Sequence, residues 1–142
     1  MPTDPQTVGQ YDAGDLVEVL QEVEDIIGNT QFNDLIWAGD MNWHVERNSH
    51  FSNIMKNFVE KMELVSLWSH YDVDYTHIHT DNKSVTTLDH FLISPRLLSS
   101  VCAAGAILRG DNLSRHSPIF VKLNLGCLPI KSSLSHKTPI NC

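Results

Sequence analysis

Between residues 12 and 27 the apolar positions Leu16, Val19, Leu20, Val23, Ile26 and Ile27 recur at helical spacing. Glu18, Glu22, Glu24 and Asp25 fill the remainder of that helix, as a solvated face rather than a metal site, and Gly28-Asn29 is a stop signal. The short apolar run 34–39 predicts a buried strand that ends in Gly39-Asp40-Met41-Asn42-Trp43. Phe51, Ile54, Met55, Phe58, Val59 and Met62 write a second amphipathic helix. Residues 73–79 alternate like a half-exposed strand, 80–84 carry turn chemistry for a hairpin loop, and 86–94 return as a strongly β-prone run. Pro95 opens a short helix over 96–99. Two further strands, 101–108 and 118–125, flank the polar loop 109–116. This order predicts a mixed α/β domain with a largely antiparallel sheet.

Composition narrows the class. Of 142 residues, 42% are apolar and 19% charged, which is globular rather than disordered. The 17 acidic and 10 basic side chains leave a formal net charge of −7, the wrong sign for a module that holds nucleic acid by electrostatics alone. An enzyme whose carboxylates work beside a cation stays open. Cys102, Cys127 and Cys142 form no CxxC pair, so neither a zinc knuckle nor a disulfide framework is expected. With no signal-peptide pattern at the start and no membrane-length apolar run, the reading is intracellular, nuclear or cytoplasmic, not secreted, with no membrane partner. Residues 126–142 mix Pro, Ser, Lys and Thr without periodicity and read as a tail or linker.

Three segments place polar residues just beyond apolar strands, where α/β scaffolds carry their sites. Asp40 and Asn42, two apart at a strand end, can face the same side and so orient a water and a phosphate oxygen. An Asx turn capping the next segment explains the same string. Asp89 lies within the apolar run 86–94, where an acid is costly unless it is paired. His116 precedes the strand 118–125. Alone it is incidental, but an Asp that meets it would fix its tautomer for phosphoryl chemistry.

The order GDMN, TLDHFLIS, SRHSPI resembles the C-terminal part of the endonuclease/exonuclease/phosphatase superfamily, which includes apurinic endonucleases, pancreatic-type DNases and inositol polyphosphate phosphatases. The motifs there are a GDxN turn, an S-x-(I/L)-D-(Y/H) strand and a terminal S-D-H-x-P loop. The segments around Asp40 and Asp89 are most similar to endonucleases of non-LTR retrotransposons. The resemblance implies the C-terminal half of a four-layered α/β sandwich over residues 1–125. It implies Mg²⁺ as cofactor, DNA as substrate and metal-assisted phosphodiester hydrolysis. Asp40 would position or activate the attacking water, and Asn42 would contact the scissile phosphate. Asp89 would hold His116, and His116 would stabilise charge on the pentacovalent phosphate. Asp40 and Asn42 are the candidate metal contacts, and Asn42 and His116 the phosphate contacts.

Two departures stand out. The family's early Asn and its Mg²⁺-ligating Glu would fall before Met1, and Arg115 occupies the acidic position of the terminal loop. The expectation is a truncated, retrotransposon-derived domain that is inactive alone. The alternatives are a half-enzyme completed by another chain and a non-enzymatic α/β interaction module. A single sheet with its helices would also leave one face bare, with Phe91, Ile93 and Phe120 exposed for a missing half or for self-association.

Overall fold

The structure is a computed structural model and describes residues 12–127. Two helices, α1 (Ala13–Asn29) and α2 (His50–Lys61), are followed or separated by seven short strands. These are β1 (Ile36–Asp40), β2 (Val65–Ser66), β3 (His77–Ile78), β4 (Val85–Thr86), β5 (Asp89–Ile93), β6 (Val101–Ala106) and β7 (Ile119–Leu123). The strands form a three-stranded sheet ordered β1-β5-β2 and two hairpins, β3-β4 and β6-β7. Every pairing is antiparallel. The chain therefore has the expected mixed α/β class, with antiparallel sheets and flanking helices.

The helices start where local chemistry closes their first turns. The Asp15 carboxylate accepts the Asp12 N–H at 3.2 Å, and the Ser49 hydroxyl accepts the Ser52 N–H at 3.1 Å. Their apolar stripes then meet one face of the central sheet. Leu92 and Trp37 pack there with Leu20, Met55, Phe58 and Leu64, and Trp37 meets Phe58 edge to face at 5.6 Å. Alternation along β5 sends Phe91 and Ile93 to the opposite face, where they pack with Leu67, Leu97, Val101, Ala104, Ile119 and Val121. All five residues of β5 are buried, so this strand is the keel between two apolar clusters.

That second cluster corrects the expectation of a bare sheet. Phe91 and Ile93 are covered, because the β6-β7 hairpin and the 3-10 turn Pro95–Ser100 fold back over them. Phe120 does stay 41% exposed. It points to the other side of its hairpin and lies against Gly105, where an added Cβ would come within 3.2 Å of its ring.

The strand expected over 73–79 shrinks to His77–Ile78, and the run 86–94 breaks at Thr87-Leu88. The cause is a change of partner. Thr76 N bonds Thr86 O, while the Thr76 hydroxyl accepts both Leu88 N–H and Asp89 N–H at 3.0 Å, and Met41 N bonds Leu88 O. The chain leaves one hairpin and enters the central sheet within two residues. The short helix expected over 96–99 is present as the 3-10 turn Pro95–Ser100. Leu125–Cys127 is also a 3-10 turn, and the rest of the tail expected from 126 onward lies outside the described residues. Among the described residues no helix is long and apolar enough to cross a membrane.

Candidate functional site

Asp40 closes β1 and Asp89 opens β5, and the register pairs them directly. Ser94 N bonds Leu35 O and Met41 N bonds Leu88 O, so Trp37, Gly39 and Met41 are the residues hydrogen-bonded to β5. Asp40 and Asp89 are thus a non-hydrogen-bonded pair, in which side chains come closest. Two carboxylates facing each other there repel. His116 lies between them. Its Nδ1 donates to Asp89 Oδ2 at 2.9 Å, and its Nε2 is 3.8 Å from Asp40 Oδ2.

Each member is held by backbone. Gly39 has φ of 144°, a conformation that residues with a Cβ rarely adopt, which accounts for glycine just before Asp40. Asp40 Oδ1 accepts Asn42 N–H at 3.0 Å, and Asn42 has φ of 48°, in the left-handed region that Asn tolerates. The GDxN string is therefore an Asx turn, and Asn42 joins the cluster through its main chain. Below the turn, Trp43 Nε1 donates to Ser52 Oγ, Ser52 Oγ donates to His44 O, and His90 Nε2 donates to Trp43 O at 2.8 Å. Burial lowers the His90 pKa, opposed by the bond to Trp43 O, so the imidazole serves as a neutral strut.

Asp89 is positioned by its own backbone, which donates to Thr76 Oγ1 and accepts from Trp68 Nε1 at 2.8 Å. His116 is fixed against β3. Ile78 N bonds Arg115 O, Ser117 N bonds Thr76 O, and Asn112 Nδ2 donates to His116 O. Arg115 sends its guanidinium into the β3-β4 hairpin, donating to His79 O at 2.8 Å and Asn82 Oδ1 at 3.4 Å. The guanidinium thus ties the hairpin tip to the loop that carries His116.

Sequence reasoning passed over Thr76, Trp68 and His77. Thr76 and Trp68 act through distant backbone atoms and carry no local signature. His77 packs on His116 with ring centroids 4.6 Å apart and on His79 at 4.9 Å. Its pKa is lowered by burial first and then by the His116 and His79 imidazoles. The HxH spacing in a strand was the available signal. Beside Asp40 and Asn42 a cleft of about 450 Å³ opens between α1 and β1, walled by Leu16, Val19, Leu20 and Trp37.

One ligand atom each from Asp40, Asp89 and His116 lies within 4.8 Å of the others, close enough to share one cation. Two carboxylates with water fit a hard divalent ion such as Mg²⁺, and the imidazole adds a donor suited to Mn²⁺ or Zn²⁺.

Solved structures that match include an endonuclease/exonuclease/phosphatase family protein from Bacteroides thetaiotaomicron. It is 23% identical, with a TM-score of 0.53 over 80% of this chain and 46% of that one. This chain therefore spans about half the length of that protein. No protein-family model and no curated protein matches it. At that identity the likeness is one of fold: a mixed α/β arrangement similar to that of an endonuclease/exonuclease/phosphatase family protein.

Proposed function

We propose that this chain is an endonuclease-like domain of the retrotransposon type that carries the phosphate-facing part of a phosphodiesterase site and is inactive by itself. The observation that carries the reading is the Asp89–His116 hydrogen bond at 2.9 Å with Asp40 on the far side of the ring. In this reading Asp40, half exposed, receives a proton from the attacking water and orients it. Asn42 offers its amide to the scissile phosphate. Asp89 holds Nδ1–H of His116 so that Nε2 faces the substrate, and in the imidazolium form Nε2–H donates to a phosphate oxygen and stabilises the charge that builds there. A divalent cation held by Asp40 and Asp89 would neutralise phosphate charge and polarise the P–O bond.

The inactivity follows from what the cluster offers. Arg115 stands at the position that is acidic in the family this site resembles, with its charge directed into the hairpin, so no third carboxylate joins Asp40 and Asp89. Among the described residues β1 pairs only with β5, and its other side supports completion by further chain. Since Trp37 and Gly39 bond to β5, the N–H and C=O groups of Ile36 and Ala38 face outward, and both residues are exposed. That edge and the adjoining cleft suit an added strand, from a second half of the domain or another chain. DNA is the substrate this reading implies.

Nicking of supercoiled plasmid in Mg²⁺ and Mn²⁺ tests it. The chain alone should give none. Addition of an N-terminal half from a related endonuclease should restore nicking, and Asp40→Ala should remove it again. Nicking by the chain alone that Asp40→Ala abolishes would show a self-sufficient enzyme. No nicking with the added half, despite a stable complex, would favour a non-enzymatic interaction module.

A further inference from the structure

The β3-β4 hairpin carries a second cluster of nitrogen donors that the phosphodiesterase reading does not use. His77 and His79, two apart in extended chain, present ring nitrogens to the same point. His77 Nδ1 lies 3.4 Å and His79 Nε2 lies 3.2 Å from Thr86 Oγ1 on the facing strand. Their rings meet edge to face at 79°, with centroids 4.9 Å apart, and both side chains are half-buried.

A hydroxyl has one proton to give, so Thr86 can donate to one of these nitrogens and must accept from the other. At least one ring lone pair is therefore aimed at this point. Converting the second ring to the other tautomer aims both. Imidazole nitrogens suit zinc, copper and nickel, whereas magnesium takes oxygen.

We propose that His77 Nδ1 and His79 Nε2 chelate a borderline divalent transition cation, of the Zn²⁺ class, with the Thr86 hydroxyl and water completing its shell. The donor set separates this site from the Asp40–Asp89–His116 cluster, which is richer in carboxylate. The two sites are adjacent, because the His77 ring packs on His116 at 4.6 Å. Neither site shares a ligand with the other, so zinc uptake here does not depend on any hydrolytic activity.

Zinc chloride titrated into the full chain tests the proposal, by calorimetry and by long-range ¹H–¹⁵N NMR of the imidazole rings. With excess Mg²⁺ present to occupy the carboxylate cluster, one zinc should bind per chain at neutral pH, shifting Nδ1 of His77 and Nε2 of His79. His77→Gln and His79→Gln should each weaken binding on the order of tenfold or more, as expected when a direct ligand is lost. Asp40→Asn and Asp89→Asn should leave it in place. The wild-type NMR reading stands even if a variant fails to fold. Absence of zinc uptake, or uptake without movement of those two nitrogens, overturns the proposal. So does binding that survives His79→Gln and disappears in Asp89→Asn, because the cation would then sit among the carboxylates.

Discussion

Asp89 and His116 meet at 2.9 Å from 27 residues apart, and the carboxylate they share the cluster with, Asp40, reaches the ring from the other side at 3.8 Å. The two acids are not equivalent. The Asp40 side chain is 51% exposed and that of Asp89 only 12%. An exposed pair contributes about 0–1 kcal/mol, whereas losing the partner of a buried hydrogen-bonded group costs about 1–3 kcal/mol. Asp89→Ala, which removes the acceptor of His116 Nδ1–H, should therefore destabilise the fold more than Asp40→Ala. Urea unfolding of the two variants at pH 7 measures the difference, and an equal or reversed order contradicts it.

Thr76 is fully buried and its hydroxyl accepts two amide protons, from Leu88 and Asp89. Thr76→Val keeps the shape and leaves both amides unpaired, at about 1–3 kcal/mol each. Thr76→Ser keeps the acceptor and should cost only the lost methyl group, about 1 kcal/mol. A valine variant as stable as the serine variant would show that water replaces the hydroxyl.

Acid should destabilise this chain through its histidines. His90, His77 and His44 all have pKa values lowered from 6.5, with burial as the largest cause in each. The unfolded chain then binds more protons than the native one as pH falls through 6.5, so their contribution is present above 6.5 and lost below it. The melting temperature should fall between about pH 7 and 5, and His90→Gln, which can still donate to Trp43 O, should flatten that slope. A slope unchanged by His90→Gln would assign the loss to other groups.

Asp81 titrates in the same sense at lower pH. In the hairpin loop its carboxylate accepts Ser84 O–H and the Ser84 and Lys83 N–H groups, which holds its pKa at about 2. Its contribution is present above the ordinary value of 3.8 and is lost as pH falls through about 2. Carbon-detected NMR of the side-chain carboxyl should give that midpoint, and Ser84→Ala should move it upward. A midpoint near 3.8 in the native chain would mean the loop bonds are not formed in solution.

Periodicity by itself determined both helices, because an amphipathic stripe of six apolar residues has few other ways to be buried, and α1 and α2 lie within two residues of the predicted spans. It also placed β1, the hairpin loop and the last two strands. The motif residues Asp40, Asn42, Asp89 and His116 could be nominated from the sequence, since polar groups at the ends of apolar strands are costly without a purpose. What the sequence could not decide was pairing. β-prone runs carry no record of which partner they choose, so the break at Thr87-Leu88 appears only once Thr76 takes the Leu88 and Asp89 amides and Met41 takes the Leu88 carbonyl. Likewise Phe91 and Ile93 read as a bare face until the β6-β7 hairpin is seen to fold over them. Only the tertiary structure sets Asp40 opposite Asp89 with an imidazole between, because that meeting depends on strand register and on a loop bonded to β3, contacts made across the chain rather than along it.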